Sequence, residues 1–286
     1  MWEKINRIVK SQVILSAFLF VAIFVSIYAI FPILTAESKQ QVSELSPGYI
    51  AVFSMWQLIM SAMVVWVMRK TDVFNIRDFR FQGLVKGLLL AWYCILLSII
   101  TFLVQFMQLP ENSVITPNMY HVSAVVLHTL CIGVFEETLL RGLALKLLLK
   151  KMGNSKRGVI VACIVSSAFF GVAHITNIIT GDSILQVASQ IVSTTALGLY
   201  FAALYIRTRT LWVPIFVHML VNLSTYIIIP IVSNDVLEQA AQAPANIAGN
   251  IINRVFLTVV FSVAGLILLR KANPNEVAGE KQQIGV

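Results

Sequence analysis

The chain has 286 residues, 58% of them apolar and 12% charged, and a mean hydropathy of +0.84. A soluble fold of that composition would lack the polar surface to cover itself, which leaves a membrane protein as the class. The net charge of +8 does not point to nucleic acid, because the basic residues fall in short clusters between long apolar runs, where they act as topology determinants.

A bilayer core about 30 Å thick needs about twenty predominantly apolar residues per helix. Eight such runs follow one another, at 13–34, 49–68, 87–109, 120–142, 158–178, 184–206, 212–232 and 251–269. The first follows a basic segment, Met1 to Lys10, and has no small-residue cleavage site after it, so it reads as a retained span. Breakers such as Ser46-Pro47-Gly48, Pro110-Glu111-Asn112 and Ala243-Pro244-Ala245 separate several runs. With the N-terminus inside, 18 of the 21 Lys and Arg residues fall on the cytoplasmic side. Only Lys39 and Arg254 fall opposite, and Arg141 lies within a span, so both termini are expected in the cytoplasm. Cys94, Cys131 and Cys163 each lie inside an apolar run without ligand spacing and read as packing residues.

The informative residues are those left inside the apolar runs. Glu136, Glu137 and Arg141 stand within six residues of one another on the fourth span, where each ionised group costs at least about 2.5–3.5 kcal/mol. Glu137 and Arg141, at i and i+4 with the acid first, can neutralise each other along the helix. Glu136 points about 100° away and has no basic residue at i+3 or i+4, so its partner has to come from another helix. His174 on the fifth span and His218 on the seventh are the candidates, and Asn222, one turn after His218, shares its helix face. Small residues on the fifth span, Ser166, Ser167 and Gly171 among them, should bring His174 toward the fourth. The depths conflict, however: His218 lies six residues into its span and His174 about sixteen. Either the fifth helix begins beyond the membrane or the seventh is displaced. His121 and His128 lack such companions and read as structural.

Glu136-Glu137-x-x-x-Arg141, Phe170-x-x-x-His174 and His218-x-x-x-Asn222, in that order on successive helices, resemble the motifs of the type II CAAX prenyl endopeptidase and bacteriocin-processing (CPBP, or Abi) family of membrane proteases. The resemblance implies a catalytic core at 120–232 within a single membrane domain over 1–286, flanked by additional spans at 1–119 and 233–286. The fold class is then an all-α polytopic bundle of about eight transmembrane helices. It also implies that Glu136 and His174 activate a water while His218 and Asn222 stabilise the oxyanion, with Glu137, Arg141 and Phe170 behind them or gripping substrate. The chemistry agrees, since a carboxylate in a low-dielectric cavity suits a general base and donors at i and i+4 suit an oxyanion hole.

No cofactor is expected. The alternative is a zinc site from Glu136, His174 and His218 with an open position, although no His-Glu-x-x-His motif is present. The implied partners are the lipid bilayer and a membrane-associated peptide or protein substrate, not nucleic acid, and the sequence sets no oligomeric state. A bacterial plasma membrane fits the basic cytoplasmic loops. The competing functions are a non-catalytic scaffold or bacteriocin self-immunity protein of the same fold, and a transporter, which would favour internal repeats that are not found.

Overall fold

In the computed structural model, residues 7–9, 11–34, 47–110, 113–179, 182–233 and 247–273 are described. They form a helical bundle, as lipid requires of a chain whose backbone groups must find partners within each segment. In chain order the helices are α1 (Val13–Leu34), α2 (Pro47–Lys70), α3 (Leu84–Leu90) and α4 (Trp92–Met107). Next comes α5, which runs unbroken over Met119–Met152, then α6 (Lys156–Ala173) with a 3-10 turn at His174–Ile178, α7 (Ile184–Thr208), α8 (Trp212–Tyr226) and α9 (Ile247–Arg270).

Among the described residues, six helices are long and apolar enough to cross a bilayer, and a seventh crossing forms if α3 and α4, bent by 65° at Ala91, act as one. That is one short of the expected eight. The run at 212–232 accounts for the difference, because only its first 15 residues are helical, a rise of about 22 Å at about 1.5 Å per residue. Pro230 cannot extend the helix without a clash against the carbonyl four residues back. The chain turns instead, and Ile231 and Pro230 accept backbone hydrogen bonds from Thr116 and Asn118 at 2.9 and 3.0 Å. Hydropathy cannot register this end, since residues 227–232 are nearly all apolar.

The fourth predicted span is longer than expected. At 34 residues, α5 extends about 51 Å, well beyond a core about 30 Å thick. Its middle, Thr138–Leu145, is π-helical, and all eight of its side chains are buried. Such wide turns are uncommon and often mark functional sites.

The small residues of α6 serve two neighbours, Ser166 the expected α5 and Gly171 the helix α7 instead. Ser166 donates to the Leu140 carbonyl of α5 at 2.9 Å, and a Cβ on Gly171 would overlap Thr195 and the Ile191 carbonyl of α7. Because Ser166 faces Leu140, Lys156 starts α6 about 15 Å farther toward the Met152 end of α5. His218, by contrast, is only about 9 Å past the start of α8. The fifth helix therefore begins beyond the level of the seventh, which resolves the depth conflict.

A second buried ionic group joins the elements where α8 begins. Asp78, in a short 3-10 turn (Ile76–Phe79), is fully buried and meets Lys146 of α5 at 2.6 Å. Tyr205 of α7 donates to its other carboxylate oxygen at 3.0 Å. The Asp78 carbonyl accepts from the Leu211 N–H at 2.7 Å, and the Trp212 indole donates to the Phe79 carbonyl at 2.9 Å. Asp78 thus ties α5 and α7 together through its carboxylate and the start of α8 through its backbone carbonyl. Hydrogen bonds to charged groups contribute about 1.5–3 kcal/mol, so Tyr205→Phe should lower stability by that much in denaturant unfolding of the detergent-solubilised protein. An unchanged midpoint would mean that Lys146 alone neutralises Asp78.

Candidate active site

The residues singled out in the sequence meet in the middle of the bundle. Glu137 and Arg141 are both fully buried and pair at 3.0 Å across one turn of α5. A second guanidinium nitrogen of Arg141 donates to the Gly198 carbonyl of α7 at 2.8 Å. The guanidinium also lies over the rings of Phe170 and Phe201, 5.1 and 5.5 Å from their centroids, an arrangement that favours a cation.

His218 completes this group, a contact the sequence did not disclose. Its Nδ1 lies 2.9 Å from the same Glu137 oxygen that accepts from Arg141. An ionised carboxylate only accepts, so that ring nitrogen carries a proton. The other ring nitrogen, Nε2, faces Glu136 Oε2 at 3.6 Å, near enough for electrostatic attraction and too far for a direct hydrogen bond. His218 therefore bridges the two glutamates, one fully buried behind it and one, 23% exposed, in front.

His174 is held differently. Its Nδ1 lies 2.9 Å from the Phe170 carbonyl, one turn earlier. A carbonyl can only accept, which puts the proton on Nδ1 and leaves Nε2 with a free lone pair when the ring is neutral. The Phe170 ring sets its edge or face against both histidines, with centroids 5.1 Å from His174 and 5.7 Å from His218.

Glu136, Phe170, His174, His218 and Asn222 all line one cavity of about 280 Å³, within reach of the lower size range of small-molecule pockets. Neither Glu137 nor Arg141 lines it, so they act on this cavity by holding His218. No direct ion pair or hydrogen bond joins Glu136 to His174 among the described residues. Both belong to the cavity wall. The remaining wall carries Tyr28 of α1, Tyr226 of α8, and Thr176, Asn177 and Gln190 toward the other end, where Asn177 donates to Gln190 at 2.9 Å. None of these five stood out in the sequence, since a lone Tyr, Asn or Gln in an apolar run gives no distinguishing signal.

The donor set for a metal does not assemble. Among the described residues no three His, Cys, Asp or Glu side chains are placed to hold one ion. Of the other histidines, His128 lies 3.3 Å from the Ser54 hydroxyl, with its ring against Phe53, a packing role.

Residues 117–224 match the family model for the Type II CAAX prenyl endopeptidase Rce1-like domain. The match contains every motif residue from Glu136 to Asn222 and leaves out α1 to α4 and α9. No curated protein and no solved structure matches the chain. Over residues 117–224 the chain is therefore similar to the CAAX-protease family, within a multi-pass helical membrane protein.

Proposed function

We propose that the protein is an intramembrane endopeptidase of a bacterial plasma membrane, hydrolysing a peptide bond of a membrane-associated peptide or lipid-anchored protein with a water activated by Glu136 and His174. The observation that carries the reading is the convergence of Glu136, His174, His218 and Asn222, from three segments of the chain, on one cavity.

The water attacks the scissile carbonyl carbon as its proton passes to the Glu136 carboxylate or to the lone pair of His174 Nε2. The carbonyl oxygen becomes an oxyanion, which accepts from the Asn222 amide and from His218 Nε2. His218 can donate there only with protons on both ring nitrogens. The proton then moves to the amide nitrogen, the C–N bond breaks, and the acid and amine products leave with Glu136 regenerated.

The test uses the full-length protein in lipid nanodiscs and two internally quenched peptides of one sequence, with and without a prenyl group on a cysteine near the C-terminus. Cleavage of at least one peptide is expected, with full activity retained in a chelator. A purified, folded protein that cleaves neither would favour the scaffold or immunity reading, and activity lost to the chelator and restored by zinc would overturn the metal-free mechanism.

A further inference from the structure

The first two helices lie outside the matched segment, yet one of them reaches the cavity: Val25 and Tyr28 of α1 form part of its wall. The Tyr28 ring is held between two others, stacked on Phe135 at 5.1 Å and 15° and tilted against Phe53 at 5.4 Å. Phe135 immediately precedes Glu136, so the phenol stands over the helix that carries the proposed base.

Beside Tyr28, and outside the cavity lining, lies Gln57 of α2, with none of its surface exposed. Its amide nitrogen donates to the Tyr28 oxygen at 3.2 Å, and its own carbonyl oxygen has no hydrogen-bond partner. A buried amide that leaves one polar atom unpaired is a poor device for joining two helices, because an apolar side chain of similar volume would cost less. The pair makes sense when the phenol is counted as a donor. A tyrosine hydroxyl has one proton and two lone pairs, and Gln57 fills a lone pair. The proton is left for a group on the cavity side.

We propose that Tyr28 is a substrate-contacting residue whose hydroxyl, oriented by Gln57, donates to a backbone carbonyl of the peptide bound beside Glu136. This rests on the endopeptidase reading and deepens it. The peptide lies between α1 and α5, and the first helix supplies part of the site, not only a membrane anchor. Gln57 is a positioning residue that acts through the phenol alone.

Two variants separate this role from packing. Tyr28→Phe keeps both ring contacts and removes only the hydroxyl. Gln57→Leu removes the orienting donor together with the unpaired carbonyl. With the quenched peptides described above, each should lower kcat/KM, Tyr28→Phe by about tenfold, the loss of one hydrogen bond. The double variant should be no worse than Tyr28→Phe, because Gln57 has nothing to orient once the hydroxyl is gone. The melting temperature should fall modestly in Tyr28→Phe, which strands the buried Gln57 amide, and be unchanged or raised in Gln57→Leu and in the double variant. Wild-type kcat/KM in Tyr28→Phe, beside an inactive Glu136→Gln, overturns the role of Tyr28 and leaves the protease reading intact. Losses that add in the double variant, or wild-type kcat/KM in Gln57→Leu, overturn the orienting role of Gln57. A wild-type protein that cleaves neither peptide overturns both proposals together.

Discussion

Glu136→Gln should abolish peptide hydrolysis while leaving the protein as stable as the wild type, within about 1 kcal/mol. The Glu136 side chain lies on the cavity wall with 23% of its surface open and has no direct hydrogen bond to hold it, only the imidazole of His218 at 3.6 Å. A neutral amide of the same shape loses that attraction and with it the cost of keeping a charge out of water. The activity has no such compensation, because the amide cannot take the water's proton. General-base catalysis is typically worth about 10²–10⁴-fold, and a loss of that size is expected in turnover of the quenched peptide. Turnover near the wild-type rate would move the base to another group, with His174 first in line.

The neighbouring carboxylate should respond in the opposite way. Glu137→Gln leaves the fully buried Arg141 guanidinium with only the Gly198 carbonyl and two aromatic rings to balance its charge. Removing one partner of a buried ion pair costs about 3–5 kcal/mol, so this variant should unfold at markedly lower denaturant concentration in detergent. Its activity should fall too, since His218 loses the anion that holds it. Adding Arg141→Met removes the stranded charge and should restore much of the stability without restoring activity. A double variant as unstable as Glu137→Gln alone would show that the penalty comes from His218 and not from the guanidinium.

These two responses were foreseeable from the sequence to different degrees. The Glu137–Arg141 pair follows from i, i+4 spacing, and the separate fate of Glu136 from its 100° offset. The close approach of α6 was legible in Ser166 and Gly171, whose size is their signal. The bridge from His218 to Glu137 was not, because it joins residues 81 apart and depends on where each helix starts. That start was itself hidden: Asp78 and Lys146 lie in charged stretches that look like loops, and only their pairing reveals a buried anchor. The short α8 escaped notice because its continuation is as apolar as the helix, and Tyr28 because a phenol in an apolar run looks like packing.

The π-helical stretch of α5 sets an angle. On one side of it stand Glu136 and Glu137, on the other Lys146, which pairs with Asp78, the residue whose backbone carbonyl holds the start of α8. In a regular helix each residue turns the chain by about 100°, so the heading of the two glutamates relative to that anchor depends on how many residues the wide turns absorb. Taking one residue out of Thr138–Leu145 would swing the carboxylates around the helix axis by about that amount while Lys146 kept its place. The two glutamates are thus aimed by a dial of eight buried residues, of which only Leu139 and Leu140 reach the cavity wall, and the sequence between Glu137 and Lys146 is constrained in its length as firmly as in its chemistry.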